Sequence, residues 1–170
     1  LNPVREKLRL VVTRNAGDKL ADAIAEAGIE AETADPRKFP VPLDPGSVHQ
    51  GAALEVKALN WGSVAELCEP GQGSPRILLL DRVTDPHNVG AILRSAEVFG
   101  AQAVIAPERY SAPESGGLAK SASGALERQP YLRVKNLGDT MMDLRKMGYL
   151  ILGLDGEGEG EIEAAIAAVG

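Results

Sequence analysis

The sequence predicts an α/β protein whose second half contains a mostly parallel sheet. Apolar runs at 76–81, 102–107 and 149–154 have the length and continuity of strands that are covered on both faces. Stretches with the helical spacing of apolar residues separate these runs. This alternation of strands and helices predicts a mostly parallel sheet with helices on both sides, and its crossovers should be right-handed.

The first predicted unit, residues 1–58, is a small module of strands and one helix. Alternating apolar residues and β-branched residues indicate strands, and helical spacing that ends at a glycine indicates a helix. Four prolines at 35–48 favour an irregular loop. The predicted elements are a strand at 7–13, a helix at 17–28 and further strands at 29–33 and 52–59.

A boundary is predicted at 59–75, where the run EPGQGSP places glycines and prolines close together. The second unit, 76–170, then begins with strand, helix and strand, which is the pattern of a βαβ unit. Its predicted elements are strands at 76–81, 102–107, 131–134 and 149–154, and helices at about 88–99, 114–126, 137–147 and from 162 onward. Gly100 is expected to end the first of these helices, and Asn136 to cap the third.

Composition sets limits on location and partners. The formal net charge is −6, but residues 149–170 hold five acids and no base, so the remainder is close to neutral. A nucleic-acid site needs only a local basic patch, so the charge does not exclude one. A single cysteine, Cys68, excludes an internal disulfide and fits a reducing compartment. No apolar stretch approaches the ~18 residues of a membrane span, and we expect a cytoplasmic protein.

The loop at 81–88 and the helix after it are the most informative stretch. Asn88 is expected to cap this helix, whose first-turn N–H groups favour anions. Arg94 and Glu97 are three residues apart and are expected to pair. The loop follows a strand at its carboxyl end, where open α/β sheets bind ligands. A turn, a cap and a surface ion pair without any function explain these residues equally well.

The same stretch resembles the first signature of the SpoU (TrmH-type) RNA 2′-O-ribose methyltransferases of the SPOUT superfamily. The matching positions are Asp81, Asp85, Pro86, Asn88, Gly90, Arg94, Ala96, Glu97 and 99–101. Two later stretches, 120–127 and 134–137, are also similar to that family. HQG at 49–51 resembles the end of the ribosomal-protein-L30e-like RNA-binding domain in the bacterial branch that methylates a 23S rRNA guanosine.

This resemblance implies an enzyme that transfers a methyl group from S-adenosylmethionine (SAM) to a ribose 2′-hydroxyl of RNA. The expected RNA is 23S rRNA, with tRNA as the alternative, and the expected assembly is a homodimer that needs no metal. Arg94 is implied as the main catalytic residue, with Asn88 and Glu97 orienting it or the nucleotide. The implied RNA contacts are Arg94, Asn88, His49, Gln50 and Lys120.

The resemblance is incomplete at the C-terminal end. Two later family signatures bind SAM, complete the trefoil knot and form much of the dimer interface, and neither is found by Gly170. We therefore expect a truncated SPOUT domain, with weak or absent SAM binding and no activity for residues 1–170 alone. The part of the SAM pocket implied here consists of Leu152, Gly153, Leu154 and Asp155.

Other functions remain as alternatives. A non-catalytic RNA-binding protein of the same fold stays open. A nucleotide-dependent Rossmann enzyme is disfavoured, because no Gly-x-Gly-x-x-Gly follows the strand at 76–81. His49 and His87 fall in different predicted units, which disfavours a metal site. Lys120 with Ser121 and Ser123 resembles a Ser/Lys hydrolase pair, but the glycines nearby favour close backbone packing instead.

Overall fold

The computed structural model describes residues 2–41, 49–71, 73–158 and 160–168. Its strands are β1 (Lys7–Val12), β2 (Ala31–Thr33), β3 (Ala52–Val56), β4 (Ile77–Leu79), β5 (Ala103–Pro107) and β6 (Tyr131–Val134). Its helices are α1 (Arg14–Lys19), α2 (Ala21–Ala27), α3 (Val64–Leu67), α4 (Pro86–Val98), α5 (Gly116–Ala122), α6 (Leu137–Lys146) and α7 (Ile162–Ala167), with one 3-10 turn at Ala125–Glu127. In these ranges no helix is long and apolar enough to cross a membrane.

The first sheet has the strand order β2-β1-β3. Its central strand is parallel to β2 and antiparallel to β3. The helix predicted at 17–28 forms as two helices that meet at Leu20. It starts earlier than predicted because the Thr13 side chain caps α1, accepting a hydrogen bond from the Ala16 N–H. Gly28 ends α2 in the left-handed region, as predicted. The end of the loop predicted at 35–48 lies outside the described residues.

The second sheet has the order β4-β5-β6, and all its pairings are parallel. Residues 103–106 of the central strand are fully buried, as predicted. The prediction that the strand at 76–81 is covered on both faces is wrong, because Leu78 is 37% exposed. The reason is that β4 lies at the edge of this sheet. One face packs against α4 and α5, and the other against α3 and α6.

The stretch predicted as a linker, 59–75, packs onto the second sheet. It contains α3, which begins with a reciprocal cap between Ser63 and Glu66. Cys68, directly after α3, is fully buried against the sheet, and burial raises the pKa of its thiol. A buried thiol with a raised pKa is inert, so Cys68 has a packing role.

A buried arginine joins the first residues of the chain to both sheets. Arg5 is only 9% exposed, and its Nε donates a hydrogen bond to the Lys57 carbonyl, just after β3, at 2.9 Å. Its guanidinium also pairs with Glu127 and, at 3.3 Å, with Glu114, which flank α5. Removing a buried charge partner leaves the others unpaired, so Arg5 stabilises the junction between the two sheets.

The strand predicted at 149–154 does not form. Tyr149 is held through its side chain, since its hydroxyl bonds to the Cys68 carbonyl at 3.0 Å and the Gln102 side chain at 2.8 Å. Beyond it, Leu150 is 48% exposed and Leu154 is 79% exposed. The apolar run is therefore not a buried strand, although Tyr149 and Ile151 are partly buried against the second sheet. A strand also needs a backbone hydrogen-bonding partner, and no described strand pairs with this segment.

Candidate functional site

The loop between β4 and α4 forms the start of the candidate site. Asp85, not Asn88, is the N-cap of α4, because its carboxylate accepts a hydrogen bond from the His87 N–H at 2.9 Å. Pro86 takes the first helical position, where its fixed φ suits the helix and its missing N–H costs nothing. The prediction that Asn88 caps the helix is therefore wrong. Asn88 lies exposed in the first turn instead.

Helix α4 is fixed against the sheet by its apolar face and against α5 by a glycine. Val89 and Leu93 are fully buried, as helical spacing predicted. A Cβ added to Gly90 would lie 2.7 Å from the Leu118 carbonyl and 2.9 Å from the Ala122 N–H nitrogen, both on α5. The two helix backbones therefore touch, which determines the rotation of α4 and the positions of its polar residues.

The predicted ion pair between Arg94 and Glu97 is wrong. Glu97 pairs with Arg128, which follows the 3-10 turn. Two nitrogens of Arg128, Nε and Nη2, donate hydrogen bonds to the Glu97 carboxylate, the Nη2 bond at 3.1 Å. A two-point contact between a guanidinium and a carboxylate is stronger than a single contact along the helix. The hydrogen bonds and positive charge of Arg128 lower the pKa of Glu97. Glu97 therefore links α4 to the residue that follows the 3-10 turn.

Arg94 is exposed, and it forms no hydrogen bond or ion pair with any residue that the structure describes. Its guanidinium has five N–H donors in a planar fork, which match a phosphate or an alkoxide oxygen. The side chain predicted to be catalytic is therefore available to an external anionic group.

A second contact crosses from α4 to α5. The His87 imidazole Nδ1 lies 3.2 Å from the Ser121 hydroxyl. Lys120, predicted to contact RNA, is exposed beside it and makes no contact with Ser121 or Ser123 among the described hydrogen bonds. The hydrolase-like Ser/Lys pair is thus not formed. The residues in the contact are 34 positions apart, so spacing alone did not reveal it. The small residues at position 90 and in α5 let the two helices approach closely, and they are the sequence feature that could have indicated this contact.

His49 and Gln50 lie in a turn that connects to β3. The His49 ring stacks on Phe39 with ring centroids 4.4 Å apart, and its Nδ1 accepts a hydrogen bond from the Gly51 N–H at 3.1 Å. The Gly51 carbonyl in turn accepts a hydrogen bond from Thr13. His49 therefore has a structural role in the turn. Gln50 is exposed, and contact of either residue with RNA stays a prediction.

The four residues predicted for the SAM pocket line an open groove of about 830 Å³ together with the start of α7. Leu152 and Leu154 supply exposed apolar surface, and Asp155 and Glu161 supply carboxylates. Apolar side chains suit an adenine ring, and carboxylates suit ribose hydroxyls and a positive sulfonium. These residues fit one wall of a SAM pocket. In the described ranges, no three His, Cys, Asp or Glu side chains cluster as metal ligands.

The fold and the site define the class of protein. It is an α/β protein with a parallel sheet. The helix that follows the edge strand of that sheet carries an amide and an arginine that pairs with no described residue. The chain belongs to the SpoU rRNA Methylase family, whose sequence profile matches residues 75–167. The family resemblance carried by the loop at 81–88 and α4 is confirmed.

Curated relatives agree with this assignment. A 23S rRNA (guanosine-2′-O-)-methyltransferase of Ralstonia nicotianae is 42% identical over 118 residues, which cover 69% of this chain and 47% of the relative. The protein of the same description from Pseudomonas putida is 45% identical over 118 residues, which cover 68% of this chain and 48% of the relative. This chain spans about half the length of the curated relatives that it matches.

Solved structures confirm the α/β fold with a parallel sheet. The SpoU methyltransferase AviRb of Streptomyces viridochromogenes superposes with a TM-score of 0.65 at 23% identity, covering 91% of this chain and 58% of that chain. Its complex with AdoMet gives a TM-score of 0.63 at 21% identity, covering 84% of this chain and 52% of that chain. At these identities, the likeness establishes the fold.

Proposed function

We propose that this chain is part of a SAM-dependent RNA 2′-O-methyltransferase that modifies a guanosine ribose of 23S rRNA in the cytoplasm. Membership of the SpoU family supports the reaction, and the names of the curated relatives support the RNA. The observation that carries the proposal is Arg94, which is exposed and unpaired among the described residues and lies on the helix whose sequence matches the family signature.

In this proposal Arg94 acts by electrostatics rather than as a base, because a guanidinium stays protonated in proteins and has only hydrogen-bond donors. Methyl transfer to a hydroxyl requires the oxygen to be held near the methyl group. As the new O–C bond forms and the S–C bond of SAM breaks, the hydroxyl proton passes to solvent water. Arg94 stabilises the negative charge that develops on the 2′-oxygen and holds the adjacent phosphate. Asn88, in the first turn of α4, orients the nucleotide.

Glu97 has a different role from the one that its spacing suggested. It pairs with Arg128 and so ties α4 to the end of the 3-10 turn after α5. We propose that it positions Arg94 indirectly, by fixing the helix on which both residues lie. SAM supplies the methyl group, and Leu152, Gly153, Leu154 and Asp155 form one wall of its pocket.

The first sheet is proposed to form an L30e-like RNA-binding unit of residues 1–58, joined through 59–75 to the methyltransferase unit of residues 76–170. Gln50 lies exposed in the turn before β3, and Lys120 lies exposed on α5, so both are accessible to RNA. A homodimer is proposed for the full-length protein. A catalytically inactive RNA-binding protein is the alternative, and the experiment below separates it from the enzyme.

The test uses a strain that lacks the gene, complemented with the wild-type full-length protein or with its Arg94→Ala variant. Ribose methylation of 23S rRNA and tRNA is mapped by primer extension. We expect one 23S rRNA guanosine to lose its methyl group in the deletion strain and to regain it with the wild-type protein but not with Arg94→Ala. Loss of one such charge-stabilising contact costs about 100- to 1,000-fold in rate, so purified Arg94→Ala should transfer methyl groups slower by that order while still binding SAM.

Arg145→Ala is the matched control, because Arg145 is also an exposed helical arginine but lies at the end of α6. It should restore methylation fully. Retained activity in Arg94→Ala would refute the assignment of Arg94. Methylation of a tRNA instead would correct the substrate, and unchanged rRNA and tRNA in the deletion strain would favour the RNA-binding alternative.

A further inference from the structure

Two exposed side chains at the carboxyl ends of β4 and β5 lie against each other. The guanidinium carbon of Arg82, in the loop after β4, is 5.8 Å from the ring centroid of Tyr110, in the loop after β5. Tyr110 is 74% exposed, and Arg82 is exposed as well. A cation within about 6 Å of an aromatic ring is attracted to its face. We refer to these two residues as the Arg82–Tyr110 pair.

Both residues of the pair have an unfavourable backbone conformation. Their φ angles are 53° and 60°, in the left-handed region that L-amino acids with side chains rarely adopt. In the described part of the chain only Gln50 and Ser123 share this property among residues other than glycine. A non-glycine residue that is kept in this region at an energetic cost often has a functional reason.

The two loops that carry the pair are fastened together. The Ala112 N–H donates a hydrogen bond to the Val83 carbonyl at 3.1 Å, which links the loop after β5 to the loop after β4. Arg133 of β6 donates to the Ala112 carbonyl at 2.8 Å. The pair is therefore held in place before any ligand binds, which lowers the entropic cost of binding.

We propose that the Arg82–Tyr110 pair stacks on an unpaired nucleobase of the RNA that carries the target ribose. Unpaired RNA bases are recognised by stacking on aromatic rings and on arginine guanidinium planes. The pair lies at the carboxyl edge of the same sheet as the start of α4, so a base there belongs to the nucleotides beside the target. This inference rests on the proposed function and adds a specific base contact to it.

The test compares two fluorescently labelled probes by anisotropy, using the chain of residues 1–170. One is a short single-stranded oligoadenylate RNA, and the other is an abasic ribose-phosphate RNA of the same length. Phosphate contacts are equal for both, whereas stacking is possible only for the first. The wild-type chain should bind oligoadenylate on the order of tenfold more tightly than the abasic RNA, and Tyr110→Ala should remove this preference.

Three further variants separate stacking from a structural role. Tyr110→Phe should keep the preference, because the ring is retained. Arg82→Gly should weaken oligoadenylate binding yet raise the unfolding temperature, because glycine relieves the left-handed conformation. Phe99→Ala is the matched control, since Phe99 is 71% exposed but lies at the opposite end of α4. It should leave the binding of both probes unchanged.

Equal binding of the two probes by the wild-type chain would overturn the proposal, and so would an unchanged preference in Tyr110→Ala. Either result leaves the Arg94 test standing, so the proposed methyltransferase can survive the loss of this contact. A stacking preference in a protein that methylates no RNA would have the reverse meaning: the pair binds bases, and the proposed enzymatic function is wrong.

Discussion

Helix α4 and the segment at 149–168 carry the two halves of the proposed site, and they are built in opposite ways. On α4, Val89 and Leu93 are fully buried and the backbone touches α5. In the other segment, Leu154 is 79% exposed and Ile166 is 56% exposed. The half proposed to face the RNA is thus positioned by a packed core. The half proposed to face SAM has little packing to position it, so the two halves should respond differently to substitution.

The largest expected difference is between two glycine substitutions. Gly90→Ala forces a methyl group into backbone atoms of α5, and overpacking of this kind costs about 1–3 kcal/mol of unfolding free energy, with the upper end expected here. A methyl group added at Gly153 would meet no described atom within 4 Å, so Gly153→Ala should change stability by less than about 0.5 kcal/mol. Urea unfolding of both variants measures the contrast. No loss in Gly90→Ala would show that α4 and α5 are not in close contact, and an equal loss in Gly153→Ala would show that Gly153 lies in a packed segment.

A smaller effect is expected from the pair that ties α4 to Arg128. Because Arg128 lowers the pKa of Glu97, the pair contributes stability above the unfolded-state pKa of about 4.3 and loses it as pH falls through the lower folded-state value. Glu97→Gln should therefore be less stable than wild type at neutral pH, and the difference should vanish in acid. Thermal unfolding from neutral pH down to about pH 3 tests this prediction.

Glu163→Gln is the control for that experiment, because Glu163 lies on α7 and forms no ion pair with a described residue. It should follow the wild-type curve throughout. A difference between wild type and Glu97→Gln that persists in acid would mean that the Glu97 side chain stabilises α4 by packing rather than by charge.

The paired strands of the second sheet and α4 were predicted well, because local sequence patterns and tertiary packing favour the same structure there. The apolar spacing of α4, the stop at Gly100 and the cap by Asn136 are all present in the structure. The N-cap was misplaced because both Asp85 and Asn88 are good capping residues, and Pro86 decides between them. The Arg94–Glu97 pair failed because Arg128, 31 residues after Glu97, offers a better geometry that no local pattern reveals.

The segment at 149–154 shows a different limit. Its apolar residues indicated a buried strand, but a strand forms only where another strand supplies backbone partners. Arg82 and Tyr110 were also missed, because their contact depends on two loops that meet only when β4 and β5 pair. The sequence shows only that each residue follows one of two neighbouring parallel strands. This places both residues at the same edge of the sheet but does not indicate that they touch.

In the proposed site, α4 forms a preorganised half that faces RNA, whereas Leu152, Gly153, Leu154 and Asp155 form one part of the half that faces SAM. Isothermal titration calorimetry of this chain with SAM measures this difference. We expect no binding heat at micromolar SAM, because Leu152, Gly153, Leu154 and Asp155 are proposed to form only one wall of the SAM pocket and the groove that they line is open. A dissociation constant in the micromolar range would contradict it, since the pocket would then be complete within these residues.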